Sequence, residues 1–294
     1  AKISVQMPIV LDDVSEWNCT INANKAVLEL YHRGGGPAHI NLETTYSKKK
    51  VTDIQPVRII RRFMKYDELP NITTQRVCIF VGAHVEMDDK LERAISEFCK
   101  KYNGIVLCDH TSNYRGEYRA FCNIVANQYY WKSTIQNVEL MVHIGDISSS
   151  DYKIQAKEVW RVNPDGEIRD TFQKLYNVFE MKEVEFFEYY NKKKKDYSNN
   201  ELLIAYRQEE KEILSRMPEL PFSNIWIATD EYALAKARQE NILLTTNKKN
   251  WTIIRPYKTY NNNRLQLGMY EKEEWLYRLM MGKTLVFPTE LKKR

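Results

Sequence analysis

The hydrophobic pattern along the chain begins with an apolar, strand-like SVQMPIV (residues 4–10), followed by a polar stretch at 12–16. Residues 21–32 then carry Ala26, Val27, Leu28 and Leu30 in a helix-length window, and Gly34, Gly35, Gly36 and Pro37 stop it. AHINL (38–42) is a compact strand. From Arg76 the pattern becomes an alternation: RVCIFVG (76–82) and GIVLCD (104–109) are buried strands by their apolar and β-branched density. Between them, residues 88–102 set Leu91, Ala94, Ile95 and Phe98 at helical spacing. A second helix is expected over 117–127, a strand at VELMVHIG (138–145), and two more at KEVWRV (157–162) and NVFEM (177–181), separated by a helical stretch at 169–175.

Near-continuous apolar strands spaced by helices require cover on both faces of a sheet. The fold class expected is therefore α/β, a doubly wound parallel sheet with right-handed crossovers, followed by a smaller α/β C-terminal tail. Residues 181–217 are charged and helical, broken at 192–200 and ended by Pro218 and Pro221. The tail holds a strand at 224–228, a helix at 231–244, a strand at 251–257 and a helix at 272–281. The expected division is 1–50, 51–190 as the central doubly wound domain, 191–222 as a charged helical linker, and 223–294 as the tail.

With 43% hydrophobic and 28% charged residues of both signs, the 294-residue chain has a globular composition. The excess that gives the formal charge of +5 sits in lysine runs at 48–50 and 192–195 and at the 292–294 end, with no interleaved aromatic platform. Solvated faces are expected there, and no nucleic-acid partner. Five cysteines in no C-x-x-C pair read as free thiols in a reducing compartment, the cytoplasm. No apolar run of about 18 residues and no charged-then-apolar leader is present, so neither a membrane span nor a signal peptide is expected. Opening at Ala1, directly on a strand, points to a longer parent.

In an open parallel sheet ligands bind beyond the carboxyl ends of the strands, which singles out Gly82, Ala83 and His84; Asp109, His110, Thr111, Ser112 and Asn113; and Gly145, Asp146, Ile147 and Ser148. His110 would serve as an acid or base only with a partner in hydrogen-bond reach; the alternative is that these residues cap helices and make turns. The three-glycine run has the same two readings, phosphate cradle or tight turn, and lacks the following helix that anion sites use. His84 and His143 have no metal-ligand spacing with any Cys or carboxylate, so no metal site is expected. In the tail, Tyr232 and Lys236 are one helical turn apart, where the ammonium would favour the phenolate.

The segments HRGGGPAHINL (32–42), VCIFVGAHVEMDDKLERAISEFCKKYNGIVLCDHTSNYRG (77–116), and VELMVHIGDISSS through KEVWRVNPDGEIRDTF (138–172) resemble the thiamine-diphosphate enzyme superfamily. The likeness is strongest to the menaquinone-pathway synthases of succinyl-enolpyruvyl-hydroxycyclohexene-carboxylate and their relatives in polysaccharide gene clusters. It runs over about residues 4–228, from the last strand of a pyrimidine-binding domain through the central domain to the first strand of a diphosphate-binding domain. It implies carboligase or decarboxylase chemistry on a 2-oxo acid, thiamine diphosphate and Mg²⁺ as cofactors, and a homo-oligomer. A glutamate of the pyrimidine domain and a GDG-to-N motif hold and activate that cofactor in the family; no Gly-Asp-Gly occurs in this chain. The expectation is a central domain that is inactive alone, its missing cofactor-binding domains supplied by a longer chain. From about residue 230 the chain resembles an extended short-chain dehydrogenase of the sugar-nucleotide epimerase type, which implies NAD, Tyr232 as acid/base, Lys236 as its partner and Arg255 near the nicotinamide. A third alternative is a non-catalytic fusion or scaffold of two truncated modules.

Overall fold

The computed structural model describes residues 1–44, 57–84, 87–108, 111–121, 125, 132–147, 154–194 and 198–216. The expected tail elements, with Tyr232, Lys236 and Arg255, lie outside the described residues, as do Asp109, His110 and Ser148.

Seven strands form one parallel sheet: β3 (Arg61–Met64), β4 (Val77–Val81), β5 (Gly104–Cys108), β6 (Arg119–Phe121), β7 (Asn137–Ile144), β8 (Gln155–Val162) and β9 (Leu175–Glu180). Their order is β3-β9-β8-β7-β4-β5-β6 and every neighbouring pair is parallel. All five positions of β4 and of β5 are buried, which is what an uninterrupted apolar strand in the middle of a covered sheet requires. The chain runs outward from β4 through β5 to β6, then returns to lay β7 on the other side of β4. This is the doubly wound α/β arrangement expected from the pattern.

Helix α2 (Asp89–Tyr102) starts where the Asp88 carboxylate accepts the Leu91 N–H at 2.7 Å, and ends at Asn103 in the left-handed region (φ 51°). It buries Leu91, Ala94, Ile95 and Phe98, the positions its spacing singled out. Helix α3 (Glu183–Lys193) packs on α2 through Phe186, Phe187 and Tyr190, whose rings meet Phe98, Trp160 and Phe179 at centroid separations of 4.8–6.5 Å. Helix α4 (Glu201–Ser215) buries Leu202, Leu203, Tyr206 and Ile213 and lies against β5 and β6. Both helices fall in the charged region expected to be helical, but α4, placed at 191–222 in a linker, belongs to the core. Its buried side chains are apolar, and Glu209, half-buried beside them, accepts the Thr134 N–H at 2.9 Å.

Three further elements differ from expectation. In place of a helix over 117–127, Arg119–Phe121 pairs with β5 in register Val106 to Arg119, because the open edge of β5 offers backbone bonds that outweigh local helical spacing. The stretch 169–175 is not helical: Gln173 takes φ 57°, and the Asp170 carboxylate is committed to the Leu175 N–H at 2.8 Å and to Arg58 at 2.6 Å. Strand β3, with two arginines in four residues, was not anticipated. Cys78, Cys99 and Cys108 are buried free thiols and Cys19 is half-buried. Among the described residues no helix is long and apolar enough to cross a membrane.

The N-terminal segment forms a separate βαβ unit: β1 (Ile3–Met7), α1 (Asp13–Glu29) and β2 (Ala38–Leu42), the two strands parallel. Helix α1 begins eight residues before the expected 21. The polar stretch 12–16 is its cap: Asp12 accepts the Ser15 N–H at 2.8 Å while Ser15 Oγ accepts the Asp12 N–H at 3.0 Å. α1 is apolar on two sides, placing Ala26 against Val5 and Met7 and Ile21 in the core of the large sheet. The glycine run is the tight turn: a Cβ on Gly35 (φ +72°) would lie 2.5 Å from the Leu30 carbonyl oxygen.

Three polar joints tie this unit to the rest of the large-sheet body: the Asn24 side chain donates to Arg58 O at 2.9 Å and accepts the Ile60 N–H at 2.7 Å. Trp17 Nε1 donates to Asp170 Oδ2 at 2.9 Å. At the end of α1, the His32 ring lies between Glu29 (2.9 Å) and Glu180 of β9 (2.7 Å); Arg62 binds Glu29 at 2.9 Å and Arg33 binds Glu180 at 2.6 Å.

Candidate functional site

The reversal of strand order between β4 and β7 is the topological switch point, where the loops after the two strands normally part to admit a ligand. Here they are stitched together. The Gly82 N–H donates to Ile144 O (2.8 Å), Ala83 N–H to Asp146 O (2.6 Å), and Asp146 N–H to Ala83 O (3.1 Å), a short antiparallel bridge. Two glycines permit the approach. A Cβ on Gly82 would sit 2.3 Å from the Asp146 carbonyl oxygen, and one on Gly145 (φ +72°) 2.4 Å from His84 Cε1.

His84 is the hub. Its Nε2 lies 2.9 and 3.1 Å from the two carboxylate oxygens of Glu183, the first residue of α3, and its Nδ1 lies 3.1 Å from the Gly82 carbonyl oxygen. Glu183 also accepts the Gly145 N–H at 3.2 Å, so one carboxylate holds both loops. Burial by itself would lower the pKa of His84; the Glu183 carboxylate outweighs it, helped by the Gly82 carbonyl and Asp146, and the net direction is upward. The His84 main chain is held as well, its N–H donating to Thr111 O (3.1 Å) and its carbonyl accepting from Asn113 Nδ2 (2.9 Å).

Of the residues singled out from the sequence, the structure brings Gly82, His84 and Asn113 together. Ser112 is buried and its Oγ accepts the Tyr114 N–H at 3.2 Å, the turn-making role that was the alternative for it. Glu183 was missed because it lies 99 residues from His84, in a charged helical stretch that carries no signal of its own. It was findable as a carboxylate following β9 at the same sheet edge. Asp146 is exposed and pairs with Arg169 at 3.0 Å, an arginine whose charged form is strengthened further by Glu167.

Behind this edge His143 on β7 lies opposite Arg161 on β8. Both are buried, at 4% and 1% exposure. Arg161 makes a bidentate pair with Asp165 (2.5 and 2.8 Å) and donates to Glu167 O (2.9 Å). Burial, reinforced by the Arg161 charge, pushes the His143 pKa down to about 3, so it is a neutral imidazole.

The chemistry this arrangement supports is positioning. Both ring nitrogens of His84 are engaged by protein atoms and the loops are bonded edge to edge. The pair therefore acts as a clamp on the C-terminal edge of the sheet. Among the described residues no three His, Cys, Asp or Glu side chains are grouped to hold a metal ion.

No family model matches the chain. It is similar to 2-succinyl-5-enolpyruvyl-6-hydroxy-3-cyclohexene-1-carboxylate synthases: 31% identical to that of Bacteroides fragilis, 28% to that of Bacteroides thetaiotaomicron and 27% to that of Phocaeicola vulgatus. Each match takes in 64% of this chain and 37% of the relative. The chain thus spans a little over a third of the length of the curated relatives it matches.

Proposed function

We propose that this chain supplies the central domain of a thiamine-diphosphate-dependent carboligase that joins a carbon–carbon bond next to the carbonyl of a 2-oxo acid, as part of an enzyme like the synthases it matches. The observation that carries this is a 31% identity extending over 64% of the chain, coupled to a seven-stranded parallel sheet. Residues 1–50 then end a pyrimidine-binding domain and 51–190 are the central domain. The cofactor-binding domains come from a longer chain or from another copy in a homo-oligomer, and the site of action is the cytoplasm.

The described residues do not themselves fit the cofactor. The switch-point loops are closed by their own backbone bonds, and no carboxylate cluster there matches the needs of a diphosphate-bound Mg²⁺. No step of the reaction is assigned to them. Their part is to hold the sheet edge rigid through His84 and Glu183, so that a wall presented to a neighbouring domain keeps its shape.

The test compares the native gene product with this 34.9 kDa chain. The native product should be much larger by intact mass and should consume a 2-oxo acid when given thiamine diphosphate and Mg²⁺. This chain alone should neither turn over nor bind thiamine diphosphate by calorimetry. Turnover by the isolated chain, or a native product that binds no thiamine diphosphate, would sink the proposal.

A further inference from the structure

The joint at the end of α1 is a knot of charges with one histidine at its centre. Glu29 ends α1, His32 and Arg33 lie in the turn after it, Arg62 is on β3 and Glu180 on β9. His32 Nδ1 lies 2.9 Å from Glu29 Oε1 and its Nε2 lies 2.7 Å from Glu180 Oε2, with the side chain 9% exposed. Each carboxylate also has an arginine, Arg62 on Glu29 at 2.9 Å and Arg33 on Glu180 at 2.6 Å, and Lys2 Nζ lies 3.9 Å from Glu29. Burial alone would raise the Glu29 pKa; the hydrogen bonds from His32 and Arg62 outweigh it and hold the carboxyl below its usual range. The loop after β8 turns backbone carbonyls to the knot: Pro164 O accepts from Arg33 (3.3 Å) and Gly166 O from Arg62 (2.9 Å), while Asp165 and Glu167 are engaged by Arg161 and Arg169. A Cβ on Gly166 (φ +64°) would lie 2.4 Å from Glu180 Oε2, so the glycine leaves that oxygen room to reach the ring.

A carboxylate oxygen can only accept a hydrogen bond, whereas a neutral imidazole donates from one nitrogen and presents a lone pair at the other. At hydrogen-bond distance that lone pair and a carboxylate oxygen repel, so both contacts hold together only when both ring nitrogens carry hydrogen. With an arginine on each carboxylate, the extra hydrogen belongs on the ring. We propose that His32 is a proton-operated latch: as the imidazolium it bonds Glu29 of α1 and Glu180 of β9 at once, and on losing its proton it releases one of them and loosens the N-terminal unit on the large sheet. Histidine is the side chain that changes charge in the neutral range, where carboxylate, ammonium and guanidinium groups ordinarily keep theirs. Raising the pH through that range therefore acts on this joint through His32. His39, the other histidine of the unit, faces Ser4 at 3.1 Å. The arginine pairs that remain still tether the unit, so it loosens without detaching. This inference rests on these contacts and is independent of the enzymatic proposal.

The Ile60 N–H, donated to Asn24 Oδ1 at 2.7 Å, reports on docking of the unit from a point away from the knot. In the ¹⁵N-labelled full chain, with the His32 ring signal assigned by its loss in His32→Gln, the ring should show the imidazolium pattern while the joint is closed. As the pH is raised from 6 to 9 that pattern should vanish over the same span in which hydrogen exchange of the Ile60 amide, corrected for its intrinsic rate, speeds by about tenfold, the equivalent of one charge-assisted hydrogen bond. His32→Gln, with no proton to lose, should abolish this pH response. Glu180→Gln should shrink it, because an amide can donate to the neutral ring as well as accept from the charged one. A neutral-tautomer pattern in the closed joint overturns the inference. So does an Ile60 exchange rate indifferent to pH, or a pH response that survives in full in either variant. Unchanged exchange of the β4 amides in both variants shows that the large sheet is intact, so that a change at Ile60 reads out the joint itself.

Discussion

The seven-stranded sheet and the N-terminal βαβ unit are built from the same element types in the same parallel sense, yet they hold their apolar residues in opposite ways. β4 and β5 have no exposed position, whereas four of the five β2 residues are exposed, and Leu11 and Tyr31, on either side of α1 in sequence, are 84% and 85% exposed. In the middle of the large sheet, burial is complete within the chain. In the small unit, one face of β1 is covered by α1 and the rest waits for something else. The difference teaches that the large sheet owes its stability to its interior, while the small unit is held by Ile21, which enters that interior, and by polar joints at Trp17, Asn24 and His32.

The largest effect should come from hollowing the interior. Phe186 is fully buried among Trp160, Phe179, Phe187 and Tyr190. Phe186→Ala should cost about 3–5 kcal/mol in urea unfolding. A loss below about 1 kcal/mol would mean that α3 does not carry the core. Next is Asp165→Ala, which strands Arg161, 1% exposed, without its bidentate partner. The expected cost is about 3 kcal/mol, at the lower end of the range for a broken buried pair because Asp165 is partly exposed. Equal stability of the variant would show that Glu167 O alone satisfies the guanidinium.

Much of this interior was legible in the sequence for a physical reason. Strands covered on both faces must be apolar throughout, so β4, β5, β7, β8 and β9 stand out, and α2 shows one clean apolar stripe. β6 did not, because three residues carry too little pattern and its strand conformation comes from the edge of β5. α1 was half-legible, since a helix wedged between two sheets is apolar on two sides and shows no single stripe. At the switch point, strand-end logic pointed to the loops that carry Gly82, His84 and Asn113, which the structure places in contact. It could not find Glu183, whose approach to His84 depends on where α3 lands five strands later.

The two histidines near the switch point should separate by pH. His143, held neutral with a pKa of about 3, gains a proton in the unfolded chain at an ordinary histidine pKa of about 6.5 but not in the fold. Its stabilising contribution is whole above that value and falls by up to about 1.4 kcal/mol per pH unit as the pH drops toward 3. His84 runs the other way. Its folded pKa is raised, so the Glu183 contact stabilises fully below the unfolded value and is lost as pH rises through the folded one. Urea unfolding from pH 4 to 9 should show His143→Leu flattening the acid limb. His84→Asn should remove a smaller slope, worth about 1 kcal/mol in all, on the neutral-to-alkaline side. Two variants with the same pH profile as the wild type would deny both assignments.

The smallest effect is expected where the small unit is most apolar. Leu11, at 84% exposure, buries almost nothing, so Leu11→Ser should change stability by no more than about 0.5 kcal/mol. That near-zero value is what distinguishes an uncovered apolar surface from a core. Repeating the measurement on the native gene product turns the comparison into a probe of what lies over the unit. If the cost there rises above about 1 kcal/mol, Leu11 is buried in the complete protein, because transferring a leucine side chain out of water is the only term of that size available at this position. An unchanged value leaves Leu11 in solvent in the complete protein as well.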